Sequence, residues 1–254
     1  MSTTHAVGDT VVLTGRSVRH ITRSVDTIIT TAIMPVAMML LFVYVFGGAI
    51  DTGSVAYVNF MLPGILLMTI ASGVAYTSLR MFNDVQGGIF ERFQSMPITR
   101  SAVLWAHVLT SLVANAISLV VVLAVAVLIG FRSGAGVVVW AAIAGILALF
   151  TLGLTWLAIA AGLSARTMEG ASAFAYPLIF LPFVSSAFVP TDTMPSVVRA
   201  FAEHQPVTPI VDTIRALVEQ QPVGNAGWVA LAWCVGILVV AHGLATAAYR
   251  RRQL

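Results

Sequence analysis

Two charge-free runs, Thr27–Ile50 and Thr52–Leu79, are separated by Asp51 alone. Each exceeds the about 20 apolar residues that a helix needs to cross a bilayer. Hydrocarbon offers no water to backbone N–H and C=O groups, so such runs fold as helices that satisfy their own hydrogen bonds. Composition extends the inference to the whole chain. Of the 254 residues, 59% are hydrophobic and 9% charged, with a mean hydropathy of +0.95. A soluble domain carries roughly 25% charged residues. The expected fold class is therefore an all-α integral membrane protein, organised as a single transmembrane domain over 1–254.

Six spans are expected by the same criterion. The first lies in Thr27–Ile50 with Pro35 in its first half, and the second at Val58–Leu79 with Pro63-Gly64 near one end. The third is expected at Ala102–Gly130, the fourth at Val137–Leu163, the fifth at Ala171–Val189 with Pro177 and Pro182 inside, and the sixth at Trp228–Ala248. An even number of spans puts both termini on one side. That side would hold Arg16, Arg19, Arg23, Arg80, Arg92, Arg100, Arg166, Arg250, Arg251 and Arg252, and the other only Arg132, Arg199 and Arg215. Cytoplasmic loops carry the excess of basic residues, so both termini, including the tail 249–254, are expected in the cytoplasm of a plasma membrane. Before the first span, Val11, Thr14, Val18, Ile21 and Val25 recur at helical spacing, with Arg16, Arg19 and Arg23 on the opposite side. This reads as an amphipathic interfacial helix or as a basic tail, and both are cytoplasmic. Residues 1–26 lack the apolar core of a cleavable signal peptide.

Two polar islands interrupt the spans. In Gln86–Trp105, Ile89, Phe90, Phe93 and Met96 place an apolar stripe on a short helix, which Pro97 should end. On the orientation above, that helix lies at the cytoplasmic surface, open to a soluble partner. The second island, Thr191–Gly224, faces outside. Pro195, Val198, Phe201 and Ala202 indicate one short amphipathic helix, and Val211, Ile214, Arg215 and Leu217 a second.

The inventory of reactive groups excludes several chemistries. All 13 basic residues are arginine. A Walker A loop needs its lysine, so this chain cannot be a P-loop ATPase by itself. Cys234 is the only cysteine, which leaves no intrachain disulfide and no thiolate zinc site. No HExxH or GxSxG motif occurs. Asp84, Glu91, Arg92 and His107 are the only clustered ionisable groups, readable as an acid/base site or as a solvated surface helix beside an interface histidine. No Asp or Glu lies in the middle of a span, which disfavours a proton- or sodium-coupled carrier. Asn59 and Asn115 are candidates for interhelical hydrogen bonds. In the fifth span, Tyr176, Phe180 and Phe183 either line a path for an apolar substrate or face lipid and packed neighbours.

The stretch Gly88-Ile89-Phe90-Glu91-Arg92-Phe93-Gln94-Ser95-Met96-Pro97-Ile98-Thr99-Arg100 resembles the cytoplasmic loop of ABC-2 type transporter permeases. The stretch Gln205-Pro206-Val207-Thr208-Pro209-Ile210-Val211-Asp212-Thr213-Ile214-Arg215 resembles the outer segment before the last span of the same family. Gln205 and Pro209 stand where that family commonly has Asn and Tyr. The nearest likeness is to the membrane subunits of actinobacterial daunorubicin-resistance-type exporters. The resemblance implies a pair of six-helix domains, made with a second permease copy or a related permease, and two separate ABC ATPase subunits that carry ATP and Mg. It implies that Phe90, Glu91, Arg92, Phe93, Met96 and Pro97 form the coupling helix on the ATPase, that the substrate is hydrophobic, and that no cofactor sits on this chain. A non-transporting membrane scaffold and a membrane-embedded lipid-modifying enzyme are the alternatives. Nucleic acid is not an expected partner.

Overall fold

The structure is a computed structural model that describes residues 25–48, 56–88 and 100–251, with side chains from Thr31 in the first stretch and from Leu104 in the third. The expected N-terminal interfacial helix before Val25 and the coupling residues Phe90, Glu91, Arg92, Phe93, Met96 and Pro97 lie outside the described residues. Helix α1 (Val25–Leu41) runs into a π-helical turn at Phe42–Phe46. Then follow α2 (Tyr57–Gln86), α3 (Arg100–Leu128) and α4 (Val137–Ser164). Three short pieces come next: α5 (Met168–Ala173), α6 (Ala175–Phe180) and a 3-10 turn at Leu181–Val184. After a 3-10 turn at Thr191–Thr193, α7 (Ser196–His204), α8 (Val207–Val218) and α9 (Ala226–Arg251) complete the chain.

Among the described residues, four helices are long and apolar enough to cross a membrane: α2, α3, α4 and α9. The apolar stretches Thr31–Phe46 and Met168–Val184 are shorter. The fifth expected span is not one helix, and its two prolines account for the breaks. Pro177 has no N–H for the carbonyl of Ala173, where α5 ends, and Pro182 has none for Leu178, just before the helix tightens into the 3-10 turn. Helix α2 overruns its expected end at Leu79 and stops at Gln86. Its end is set by Gly87 and by Gly88, whose φ of 66° is left-handed, rather than by the extent of the apolar run. At the end of α3, Gly130 takes φ 113°, and Arg132 donates from Nη1 to the carbonyls of Val127 and Phe131. A cation there also suits the negative end of the helix dipole.

Helix α2 is the mast of the bundle. Within its apolar window 72% of residues are buried inside the chain, against 22–33% for α3, α4 and α9. It packs on α1, α3, α4, α5, α6 and α8, while α9 lies along α4. Close approach is built on glycine. Gly73 of α2 abuts the Asn115 side chain of α3, and Gly162 of α4 abuts the backbone of Ser78 on α2. Small residues let helix backbones meet where lipid supplies no hydrophobic drive for association.

Two apolar clusters divide the bundle along its length. The larger gathers Met61, Leu66, Ile70, Val122, Ile143, Phe150 and Ile210 with their neighbours. The second, at the end where α2 stops and α3 starts, joins Met81, Leu104, Val108, Trp156, Ile159 and Leu163 to Ala241 and Ala245 of α9. Between the helices runs a polar seam. Thr77 of α2 donates to Ser111 of α3 at 2.8 Å, and Ser111 meets Thr155 of α4 at 3.1 Å. Thr31 and Ser118 lie 3.1 Å apart between α1 and α3. Such intramembrane bonds contribute about 0.6 kcal/mol each, so the seam fixes helix register more than it adds stability. Asn115 bonds within its own helix, to the Ser111 carbonyl at 2.9 Å, and contributes to the α2–α3 contact through packing on Gly73.

Candidate functional site

The densest polar construction in the described chain is a clasp at the end of the bundle opposite Gly87. It answers a problem set by the broken helix. The backbone from Leu181 to Phe188 is not α-helical, so its polar groups need partners that a helix would have supplied internally. Gln205, Thr208, Asp212 and Arg215 recur at i, i+3, i+7 and i+10, one face of α8 and its lead-in. Gln205 is buried; its Nε2 donates to the Val184 carbonyl at 3.1 Å, and its Oε1 accepts from the N–H of Val207 at 3.1 Å. The Thr208 hydroxyl accepts from the N–H of Ser186 and donates to the carbonyl of Ala202. The Ser186 hydroxyl donates to Asp212 Oδ1 at 2.6 Å.

Arg215 is the keystone. Its Nη1 donates to Asp212 Oδ1 at 3.1 Å, and its Nη2 to the carbonyls of Ser186 at 2.8 Å and Phe60 at 3.0 Å. Nε also donates to the Phe60 carbonyl, at 3.2 Å. The guanidinium carbon lies 3.8 Å from the centre of the Phe60 ring, within cation–π range. One planar fork thus ties α8, the broken segment and the first turn of α2 together, which a lysine could not do. Burial pushes the guanidinium below its ordinary value, opposed by the carboxylates of Asp212 and Glu219. On the same face of the bundle, the Tyr57 hydroxyl donates to the Phe188 carbonyl at 3.3 Å, and Ala187 packs on Gly64. In the sequence Arg215 stands in an amphipathic stripe, among the outer arginines and at the end of the family-like segment, and nothing there gives Gln205, Thr208 or Asp212 a role. Their polar spacing beside a proline-broken span was the signal.

The candidate path residues separate. Phe183 packs into an aromatic cluster with Phe188 (5.0 Å between centroids) and Phe42 (6.2 Å), and touches Phe180 at 6.0 Å. Phe180 and Tyr176 are 62% and 60% exposed on the outside of the bundle. Phe42 and Phe188 stack at 4.7 Å, which closes the π turn of the first apolar stretch against the broken segment. The apolar face expected for α7 is only partly covered: Ala202 is buried, but Val198 and Phe201 are exposed.

Of the clustered ionisable groups, Asp84 and His107 meet. The two side chains approach to 3.0 Å between Nε2 and Oδ2, joining the last turns of α2 to the start of α3, with His107 buried. His107 is therefore buried and paired with Asp84. Glu91 and Arg92 lie outside the described residues. Among the described residues no group of three His, Cys, Asp or Glu side chains is placed to hold a metal ion. Asn59 makes no interhelical bond of the kind expected; it ties α2 to the backbone of the α3–α4 connection, where Nδ2 donates to the Arg132 carbonyl at 2.7 Å and Oδ1 accepts from its N–H at 3.3 Å.

A bundle of long apolar helices around a buried mast, carrying a broken helix and a polar cap at one end, is the architecture of a multi-pass membrane protein. The chain belongs to the ABC-2 type transporter family, whose model matches residues 9–218. It is 29% identical over 222 residues to the daunorubicin resistance ABC transporter permease protein DrrB1 of Streptomyces coeruleorubidus, covering 85% of this chain and 75% of that one. It is 23% identical over 253 residues to the probable doxorubicin resistance ABC transporter permease protein DrrC of Mycobacterium tuberculosis, covering 96% of this chain and 89% of that one.

Proposed function

We propose that this chain is the membrane subunit of an ATP-binding cassette exporter that moves a hydrophobic compound, a drug, antibiotic or lipid-like metabolite, out across a bacterial plasma membrane. The observation that carries the reading is the family match over most of the chain, joined to relatives named as permeases of daunorubicin and doxorubicin resistance transporters. The absence of a lysine for a Walker A loop supports hydrolysis on a partner, and family membership supports two separate ATPase subunits that carry the ATP and Mg. The shorter apolar stretches Thr31–Phe46 and Met168–Val184 count as two further crossings beside the four long helices, giving six. The arginine distribution then puts both termini, and the α2–α3 connection, in the cytoplasm. The clasp lies at the outer end.

In this reading the segment holding Phe90, Glu91, Arg92, Phe93, Met96 and Pro97 docks in a groove of the ATPase. Phe90 and Phe93 are its apolar anchors, and Glu91 and Arg92 make charged contacts at the groove's edge. ATP-driven closure of the two ATPases pushes on this segment in each of two permeases, the second being another copy of this chain or a related permease. The first, second and fifth crossings then rearrange about the dimer axis, with Tyr176, Phe180 and Phe183 along the path of an apolar substrate. The test is mutational. Phe93→Ala should remove about 2 kcal/mol of docking energy, roughly thirty-fold in association with the ATPase. Glu91→Ala should act in the same direction. Both should lower transport and ATPase stimulation while membrane insertion stays intact. Normal transport by both variants would remove the docking role from this segment.

A further inference from the structure

We propose that the Asp84–His107 pair is a strut that makes α2 and α3 move as one body when the segment between them is pushed. The inference rests on the transporter reading above and adds positioning residues to it. Residues 87–99 connect α2 to α3, so any force applied there enters the bundle through these two helix ends. Each end alone is a poor transmitter, because a helix end frays and pivots. Asp84 lies in the last turn of α2, and His107 in the second turn of α3. Their 3.0 Å contact joins the two helix ends directly. A hydrogen bond to a carboxylate is about twice as strong as a neutral one, and His107 is buried, where such a bond is least weakened by water. Arg80, one turn before Asp84, adds electrostatic attraction to the same carboxylate.

Beyond the strut the same level of the bundle is stitched together by aromatic rings. Trp105, two residues before His107, meets Trp156 of α4 edge-on at 5.4 Å, and Trp156 meets the His242 ring of α9 at 4.6 Å. The second apolar cluster fills the space between them. The order α2–α3–α4–α9 is thus continuous at this end through one polar contact and two ring contacts. The polar contact is the link that ties the two sides of the driven segment. Removing it leaves the helices packed but lets α2 and α3 yield separately, so ATP is hydrolysed with less transport.

The experiment uses the complete transporter, this chain with its ATPase subunits, reconstituted in vesicles. It measures transport and ATP hydrolysis together and takes their ratio on assembled complex. Asp84→Ala and His107→Ala should each lower transport per ATP about tenfold, within the usual range of coupling between sites. The exchanged pair, Asp84→His with His107→Asp, should recover the ratio to within about threefold of the parent, as expected when the two residues act through each other. His107→Gln keeps an N–H donor at similar reach and should retain most of the coupling; it reads the strut even if an alanine variant assembles poorly. Single variants that keep the parental ratio, or an exchanged pair as uncoupled as the singles, would overturn the strut. A parent complex with no ATP-dependent transport would overturn the transporter reading instead, so the two failures are distinct.

Discussion

Arg215→Ala should destabilise the folded chain by about 2–3 kcal/mol, the range for leaving buried acceptors without a charged donor. The Arg215 side chain is 14% exposed, and it donates to three acceptors in three parts of the fold. Alanine would leave the carbonyls of Phe60 and Ser186 with fewer donors and Asp212 without its cation. Arg215→Lys should cost less than alanine but more than Asp212→Asn. Lysine keeps the charge while losing the planar fork and its stacking on Phe60. Asp212 is 40% exposed, so water substitutes for part of what it loses. Thermal unfolding of the detergent-solubilised protein reads the order directly. Equal midpoints for Arg215→Ala and the parent would show that the clasp does not hold the broken segment.

Gly162→Val should be comparably damaging for a steric reason. A Cβ at Gly162 would lie 2.5 Å from the Ser78 carbonyl oxygen and 2.8 Å from Met81 Cβ. The first of these is backbone in the middle of the mast and cannot swing aside. Overpacking of this kind costs about 3 kcal/mol, so the expected result is a sharp loss of folded yield and a lowered unfolding midpoint. Gly145 supplies the control on the same helix, because nothing lies within 4 Å of a Cβ there. Gly145→Ala should be neutral or stabilising by up to about 1 kcal/mol, from helix propensity alone. A Gly162→Val protein as stable as Gly145→Ala would mean that α2 and α4 do not approach as closely as described.

The long helices were legible because their cause is local. Expected spans at Ala102–Gly130 and Val137–Leu163 correspond to helices at Arg100–Leu128 and Val137–Ser164, since apolar length sets both. The end of α2 was missed by seven residues because hydropathy marks where lipid ends, whereas the helix continues to Gly87-Gly88. Pro177 and Pro182 were visible, but the sequence reading held them inside one span. Counting four residues back from each proline would have located the breaks. The clasp was the least legible part. Arg215 finds the Phe60 carbonyl 155 positions away, and no periodicity reveals a partner that is a backbone oxygen. Polar residues at i, i+3, i+7 and i+10 in a segment otherwise read for its apolar stripe were the available clue. Asp84 and His107 stood out as neighbours in composition, but only the fold brings their side chains together.

The central claim is that this chain works as the membrane half of an ATP-driven exporter. Purification from native membranes in mild detergent, followed by mass spectrometry of the intact assembly, tests it most directly. The account predicts a co-purifying ATPase with a Walker A lysine, in equal copy number with this chain or with this chain plus a second permease. Recovery of this chain alone, or with partners that bind no nucleotide, would contradict it.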